Sequence, residues 1–193
     1  MVLASQLMSL EEFLALDDGT DTSYELEDGE LRVMPPESDR NRRIGSFLFA
    51  YFSQLRIPFY RLRIGTEIVV SGNRPTVRVP DLMVLTEELA IALASASRST
   101  VTSEMPPPEL VVEVVSPGQE NINRDYRYKR SQYQARAIAE YWIIDPMEQK
   151  ITVFTLVEGL YEEAIFTGEA EIISTLFPSE SALTASKVLQ AGL

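Results

Sequence analysis

A chain of 193 residues, 45% hydrophobic and 24% charged, has enough apolar material for one packed core, but no run approaches the roughly 20 apolar residues of a membrane helix. It contains neither cysteine nor histidine, which excludes disulfide frameworks, thiolate- or imidazole-held metals, and Ser-His-Asp or Cys-His catalysis. The net charge of -12 weighs against simple electrostatic attraction to nucleic acid.

Ser9-Leu10-Glu11-Glu12 has the form of a capping box and predicts a short helix that ends at Asp17-Asp18-Gly19. Residues 24–34 read as a hairpin turning at Asp28-Gly29, closed by Pro35-Pro36. From 38 to 55, Ile44, Phe47, Leu48, Tyr51, Phe52 and Leu55 recur at helical spacing. That helix opens with Arg40, Arg42 and Arg43, at the end where the helix dipole prefers acids. Strands are expected at 60–64, 67–71 and 77–85, with a turn at Gly72-Asn73-Arg74-Pro75. Residues 86–108 are rich in Ala and Ser and end in Pro106-Pro107-Pro108, the pattern of a partly helical surface excursion. A strand over 110–115 stops at Ser116-Pro117-Gly118, and a second helix covers 122–137. A strand over 140–145 follows, then a hairpin of 150–157 and 160–166 turning at Glu158-Gly159. A short strand at 171–174 and a last helix over 181–189 complete the chain.

This order predicts an α/β (α+β) fold, a mixed sheet flanked by helices, with an N-terminal helix and hairpin and a C-terminal hairpin added. One domain is expected over 1–193: decoration at 1–37, a core at 38–146, and a hairpin and helix at 147–193. The first residues lack the basic start and long apolar stretch of a signal peptide, so a cytoplasmic location without membrane association is expected.

Two acids break the pattern of buried strands. Glu113 lies in Leu110-Val111-Val112-Glu113-Val114-Val115, and Asp81 lies in Val77-Arg78-Val79-Pro80-Asp81-Leu82-Met83-Val84-Leu85. A carboxylate in such a run is costly unless a cation or hydrogen bonds meet it. Alternation puts Asp81, Met83 and Leu85 on one face, and Val111, Glu113 and Val115 on another. If the strands are neighbours the acids converge and repel, and a divalent cation relieves that. Without His or Cys the ligands must be oxygen, which favours Mg²⁺, Mn²⁺ or Ca²⁺.

In the second helix Asp125, Lys129 and Tyr133 are spaced four apart, and Lys129 edges a stripe of Ile122, Tyr126, Tyr133 and Ala137. Two readings stand for Lys129: a surface pair with Asp125, or a cation aimed at the buried acids. Of the 17 basic residues, 11 fall in two segments, 40–63 and 124–136. Arg40, Arg42, Arg43, Arg127 and Arg130 are candidates there for a phosphate-facing surface, and the competing reading is solvated helix faces.

Pro80-Asp81 followed by Glu113 resembles the acidic half of the PD-(D/E)XK nuclease signature. Tyr24-Glu25-Leu26, Gly29-Glu30-Leu31, Val112-Glu113-Val114-Val115-Ser116-Pro117, Lys129, Tyr133 and Glu140-Tyr141-Trp142-Ile143-Ile144-Asp145-Pro146 extend the likeness from about residue 10 to 177. Together they resemble the Uma-two family of restriction endonucleases within that superfamily. The resemblance implies hydrolysis of DNA phosphodiester bonds, with Mg²⁺ or Mn²⁺ held by Asp81, Glu113 and the Val114 carbonyl. Three departures matter. The signature's lysine position holds Val115, so Lys129 becomes its replacement, orienting water or stabilising charge. The histidine often found before the first long helix is absent, and arginines occupy that region. The helical glutamate of many nucleases is also missing, and Glu25, favoured over Glu67, is the substitute. Tyr133 either hydrogen-bonds within the site or packs in the core. A homodimer is expected by analogy with enzymes that cut two strands. The alternative is an inactive nuclease-fold module for DNA binding or protein–protein interaction.

Overall fold

Acid-glycine pairs turn both predicted hairpins. In the first, β1 (Tyr24–Glu27) pairs with β2 (Glu30–Val33), and Asp28 and Gly29 both adopt positive φ, 48° and 83°. In the second, Glu158 and Gly159 do the same, at 50° and 84°. A two-residue turn of this kind matches the twist of its strands only with φ positive at both positions. The computed structural model describes residues 7–20, 22–177 and 182–193.

The capping box forms: Ser9 Oγ accepts from Glu12 N–H, and Glu12 accepts from Ser9 N–H at 2.7 Å, starting α1 (Leu10–Leu14). Ser38 caps α2 (Asp39–Gln54), which buries Ile44, Leu48 and Phe52. After a 3₁₀ turn come β3 (Leu62–Arg63) and β4 (Glu67–Val70).

The strand expected over 77–85 does not form as one piece. It divides into β5 (Thr76–Arg78) and β6 (Leu82–Val84), which belong to different sheets. Pro80 lacks the N–H that a ladder needs. Val79 N–H leaves the ladder too, donating to the Glu25 carboxylate at 3.0 Å. Asp81 therefore sits at a corner between sheets. The excursion at 86–108 holds α3 (Glu87–Ala94) and an unexpected edge strand, β7 (Thr100–Val101).

β8 (Leu110–Val114) and β9 (Glu140–Asp145) are parallel, so a crossover must join them. The single helix expected over 122–137 is instead α4 (Gln119–Asn123), a widened π turn over Arg124–Lys129, and α5 (Arg130–Ala135). β10 (Lys150–Val157) and β11 (Leu160–Thr167) complete a six-stranded sheet in the order β11-β10-β9-β8-β6-β3. The other sheet runs β2-β1-β5-β4-β7.

One face of the larger sheet, with Leu82, Val84, Leu110, Val112, Trp142 and Ile144, packs on α2 and the C-terminal residues. The opposite face, with Met83, Leu85, Val111, Val115, Tyr141 and Ile143, packs on α3 and the crossover. No strand forms at 171–174, because Glu171 makes a single bridge to Thr184. Thr184 caps α6 (Ala185–Gln190), and the expected helix start at Ser181 lies outside the described residues. The result is the expected mixed α+β class, with two mixed sheets in place of one. Among the described residues, no helix is long and apolar enough to cross a membrane.

Candidate active site

Leu82 pairs with Val112 and Met83 with Val111 in the antiparallel register of β6 and β8. One step further along that register, Asp81 faces Glu113. The corner also fastens Asp81 to the next residue of β8, where its Oδ2 accepts from Val114 N–H at 2.5 Å. α2 crosses close behind, so that a Cβ on Gly45 would lie 3.9 Å from the Asp81 carbonyl oxygen. Glu113 is buried, and Asp81 is partly exposed.

The crossover brings a cation to this pair. Lys129 Nζ lies 2.7 Å from Glu113 Oε2, 3.6 Å from Asp125 Oδ1 and 3.8 Å from Glu25 Oε1, and the lysine is buried. Tyr133 OH donates to Glu113 Oε1 at 2.7 Å from a buried position, so it both packs in the core and bonds within the site. Glu25 is held from behind by buried Arg78 at 3.0 Å, whose guanidinium also binds Glu27 at 2.8 Å and Gln132 at 3.0 Å. The helix-face reading that aimed Lys129 inward is the one the geometry supports, and Asp125 stays with it as a buried partner.

These contacts shift the titration of each group. Burial, and then the charge of Glu113, push Asp81 well above the ordinary carboxylate range. Burial likewise raises Glu113, against the pull of Lys129. Burial alone would raise Glu25, yet Lys129 and Arg78 hold it low. Burial alone would lower Lys129, yet Glu113, Glu25 and Asp125 hold it high. With all groups ionised, carboxylates outnumber cations in this network, because Lys129 is shared by Glu113, Glu25 and Asp125 and Arg78 by Glu25 and Glu27. Negative charge is left over. The partly exposed Asp81, which has no cation within ion-pair distance among the described residues, is where it falls.

The donor set suits a hard cation. Two carboxylates and the Val114 carbonyl offer only oxygen, as Mg²⁺ and Mn²⁺ prefer. Among the described residues, no three acidic side chains converge into an all-protein cage. Mg²⁺ commonly manages with one or two carboxylates, completing its shell from water and substrate phosphate. The Val114 carbonyl is not idle: Asn41, buried in the first turn of α2, donates to it at 3.1 Å and to Ser116 Oγ at 3.2 Å.

The five arginine candidates scatter. Arg40 donates to the Pro146 carbonyl at 3.2 Å, and Arg130 lies over the Phe154 ring at 4.7 Å. Arg42, Arg43 and Arg127 are exposed, Arg42 being 3.9 Å from Glu37. Sequence reasoning missed Asn41, Arg78 and Arg124. Arg78 had a signal, as a charge inside an apolar strand just like Asp81, whereas Asn41 had none.

The two mixed sheets flanked by helices form a fold shared with a solved nuclease-like structure. The crystal structure of a putative nuclease belonging to DUF820 from Anabaena variabilis ATCC 29413 superposes with a TM-score of 0.71. It covers 96% of this chain and 99% of its own, at 18% identity, a likeness of fold. The chain belongs to the Uma2 family, described as "Putative restriction endonuclease", which matches residues 10–186. No curated protein matches it.

Proposed function

We propose that the protein is a Mg²⁺- or Mn²⁺-dependent endonuclease that hydrolyses DNA phosphodiester bonds. The observation that carries this reading is the Asp81–Glu113 pair, whose negative charge exceeds the cations that meet it. Asp81, Glu113 and the Val114 carbonyl would hold the metal. When bound, such an ion polarises a phosphodiester and acidifies water. Lys129 favours the ionised form of Glu113 against burial and fixes one of its oxygens, while Tyr133 fixes the other. Glu25 is saturated by Arg78, Val79 and Lys129, so it braces the lysine and is not a third ligand. A homodimer that cuts both strands fits this reading, and light scattering checks it.

Plasmid nicking in Mg²⁺ or Mn²⁺ tests the proposal. Asp81→Asn and Glu113→Gln should each abolish nicking, with Mn²⁺ binding lost by calorimetry, and Lys129→Ala should abolish nicking too. One observation favours the inactive DNA-binding module: Lys129 is buried and follows Glu113 at a distance in the chain, with Val115 in the usual lysine position. Such a module shifts DNA with steep salt dependence and leaves it uncut in either metal.

A further inference from the structure

Lys129 is buried among carboxylates. Its side chain is 3% exposed, Glu113 lies 2.7 Å from its Nζ, and Asp125 and Glu25 stand within 3.8 Å. The pattern of charge continues outward. Asp125 Oδ1 faces Lys129 on one side and accepts from Arg124 Nε at 3.2 Å on the other. Glu113, Lys129, Asp125 and Arg124 thus form a chain of alternating sign. Its first three side chains are 5%, 3% and 1% exposed, and the last, Arg124, is 33% exposed. Arg124 engages one donor in this chain. Its two terminal nitrogens have no protein acceptor among the described residues. They form the planar fork that grips phosphate at two points.

The topology sets that fork at the right end of the sheet. The crossover leaves β8 beside Val114, where Asp81 is fastened, and returns at Glu140, which pairs with Leu110 at the opposite end of β8. Arg124 opens the widened turn and Lys129 closes it, so along the crossover Arg124 comes first after the carboxyl end of β8. Carboxyl ends of parallel strands are where such sheets open a crevice. The charge of Glu113 is also felt at Arg124.

We infer that Arg124, and not Lys129, is the cation that touches the scissile phosphate, and that Lys129 is a positioning residue acting through Glu113 and Asp125. This rests on the phosphodiesterase reading and names the catalytic residue at that site's surface. Two measurements decide it. The first needs no turnover: anisotropy of a fluorescein-labelled single-stranded DNA in Ca²⁺ across a salt series. Arg124→Gln should flatten the slope of log K against log salt by about 1, Arg124→Lys should keep it, and Lys129→Gln should leave it unchanged. The second is single-turnover cleavage. Arg124→Ala should fall about 10²–10³-fold and recover when guanidinium is added, while Lys129→Ala should gain nothing from methylammonium. Thermal melts by circular dichroism confirm that each variant is folded. A wild-type slope in Arg124→Gln, or a slope loss that follows Lys129 instead, overturns the inference. If wild type binds DNA without cutting, the hydrolase reading fails while the slope still decides the contact. If wild type does not bind DNA, both fall.

Discussion

Glu113 and Glu140 are both buried glutamates in apolar strands that lie side by side, and they have opposite fates. Glu113 meets a lysine, a tyrosine and, across the strand, a second carboxylate. Glu140 meets only neutral donors: Trp142 Nε1 at 2.9 Å, Ser174 Oγ at 2.8 Å, and Thr175 through both N–H and hydroxyl at 2.5 Å. The first faces the crossover, and the second fastens the segment at 174–177 over the opposite face, where Leu176 and Phe177 pack. A buried acid is therefore not by itself a site. What distinguishes Glu113 is the second carboxylate facing it, Asp81, which has no cation within ion-pair distance among the described residues, whereas Glu140 is met by neutral hydrogen-bond donors alone.

The strongest way to break this contrast is to remove the cation. Lys129→Met leaves Glu113 and Asp125 buried without their shared partner and should destabilise the protein by about 3–5 kcal/mol in urea unfolding. Glu113→Gln in that background should recover part of the loss, because the residue that lost its 2.7 Å partner is then no longer a carboxylate. An Lys129→Met protein as stable as wild type would mean that the network does not hold the lysine as described.

The residues that make Glu113 special were unevenly legible. The hairpins, the long helix and β9 could be read from local patterns: left-handed turn residues, helical spacing, and an apolar run ended by Asp145-Pro146. The acids and Lys129 stood out as charges in apolar surroundings. The break at Val79-Pro80 was half visible. Proline forbids a central ladder position, but the change of sheet depends on Glu25 capturing Val79 N–H from far away in the chain. The widened turn was invisible, because side-chain periodicity in a short segment does not separate a π turn from an α-helix. Asn41 and Arg124 read as ordinary surface residues of helix starts, and only tertiary contact gives them partners.

A pH series without divalent metal sharpens the contrast at lower amplitude. Asp81 and Glu113 are held above the ordinary carboxylate value, so the folded protein binds more protons than the unfolded chain between the ordinary and raised values. Stability should fall as pH rises through that window, by about 1.4 kcal/mol for each unit of raised pKa. Glu25 runs the other way: its contribution is present above the ordinary value and is lost as pH falls through the lowered one. Asp81→Asn should flatten the decline on the alkaline side. Urea unfolding at stepped pH checks both signs, and stability that rises through the window would contradict the raised values.

The smallest effect belongs to the neutral side of the comparison. Ser174→Ala removes one of the donors to Glu140, but Trp142 and both groups of Thr175 remain. The serine also accepts from Leu176 N–H at 3.1 Å, so its loss loosens that turn as well. The expected cost is about 0.5–1.5 kcal/mol, the worth of one ordinary hydrogen bond. Hydrogen exchange should speed up at 174–177 and stay unchanged at 111–114, and Mn²⁺ binding should stay at its wild-type value. Faster exchange at Glu113 would show that the two glutamates are energetically linked through the sheet, and the separation drawn between them would fail.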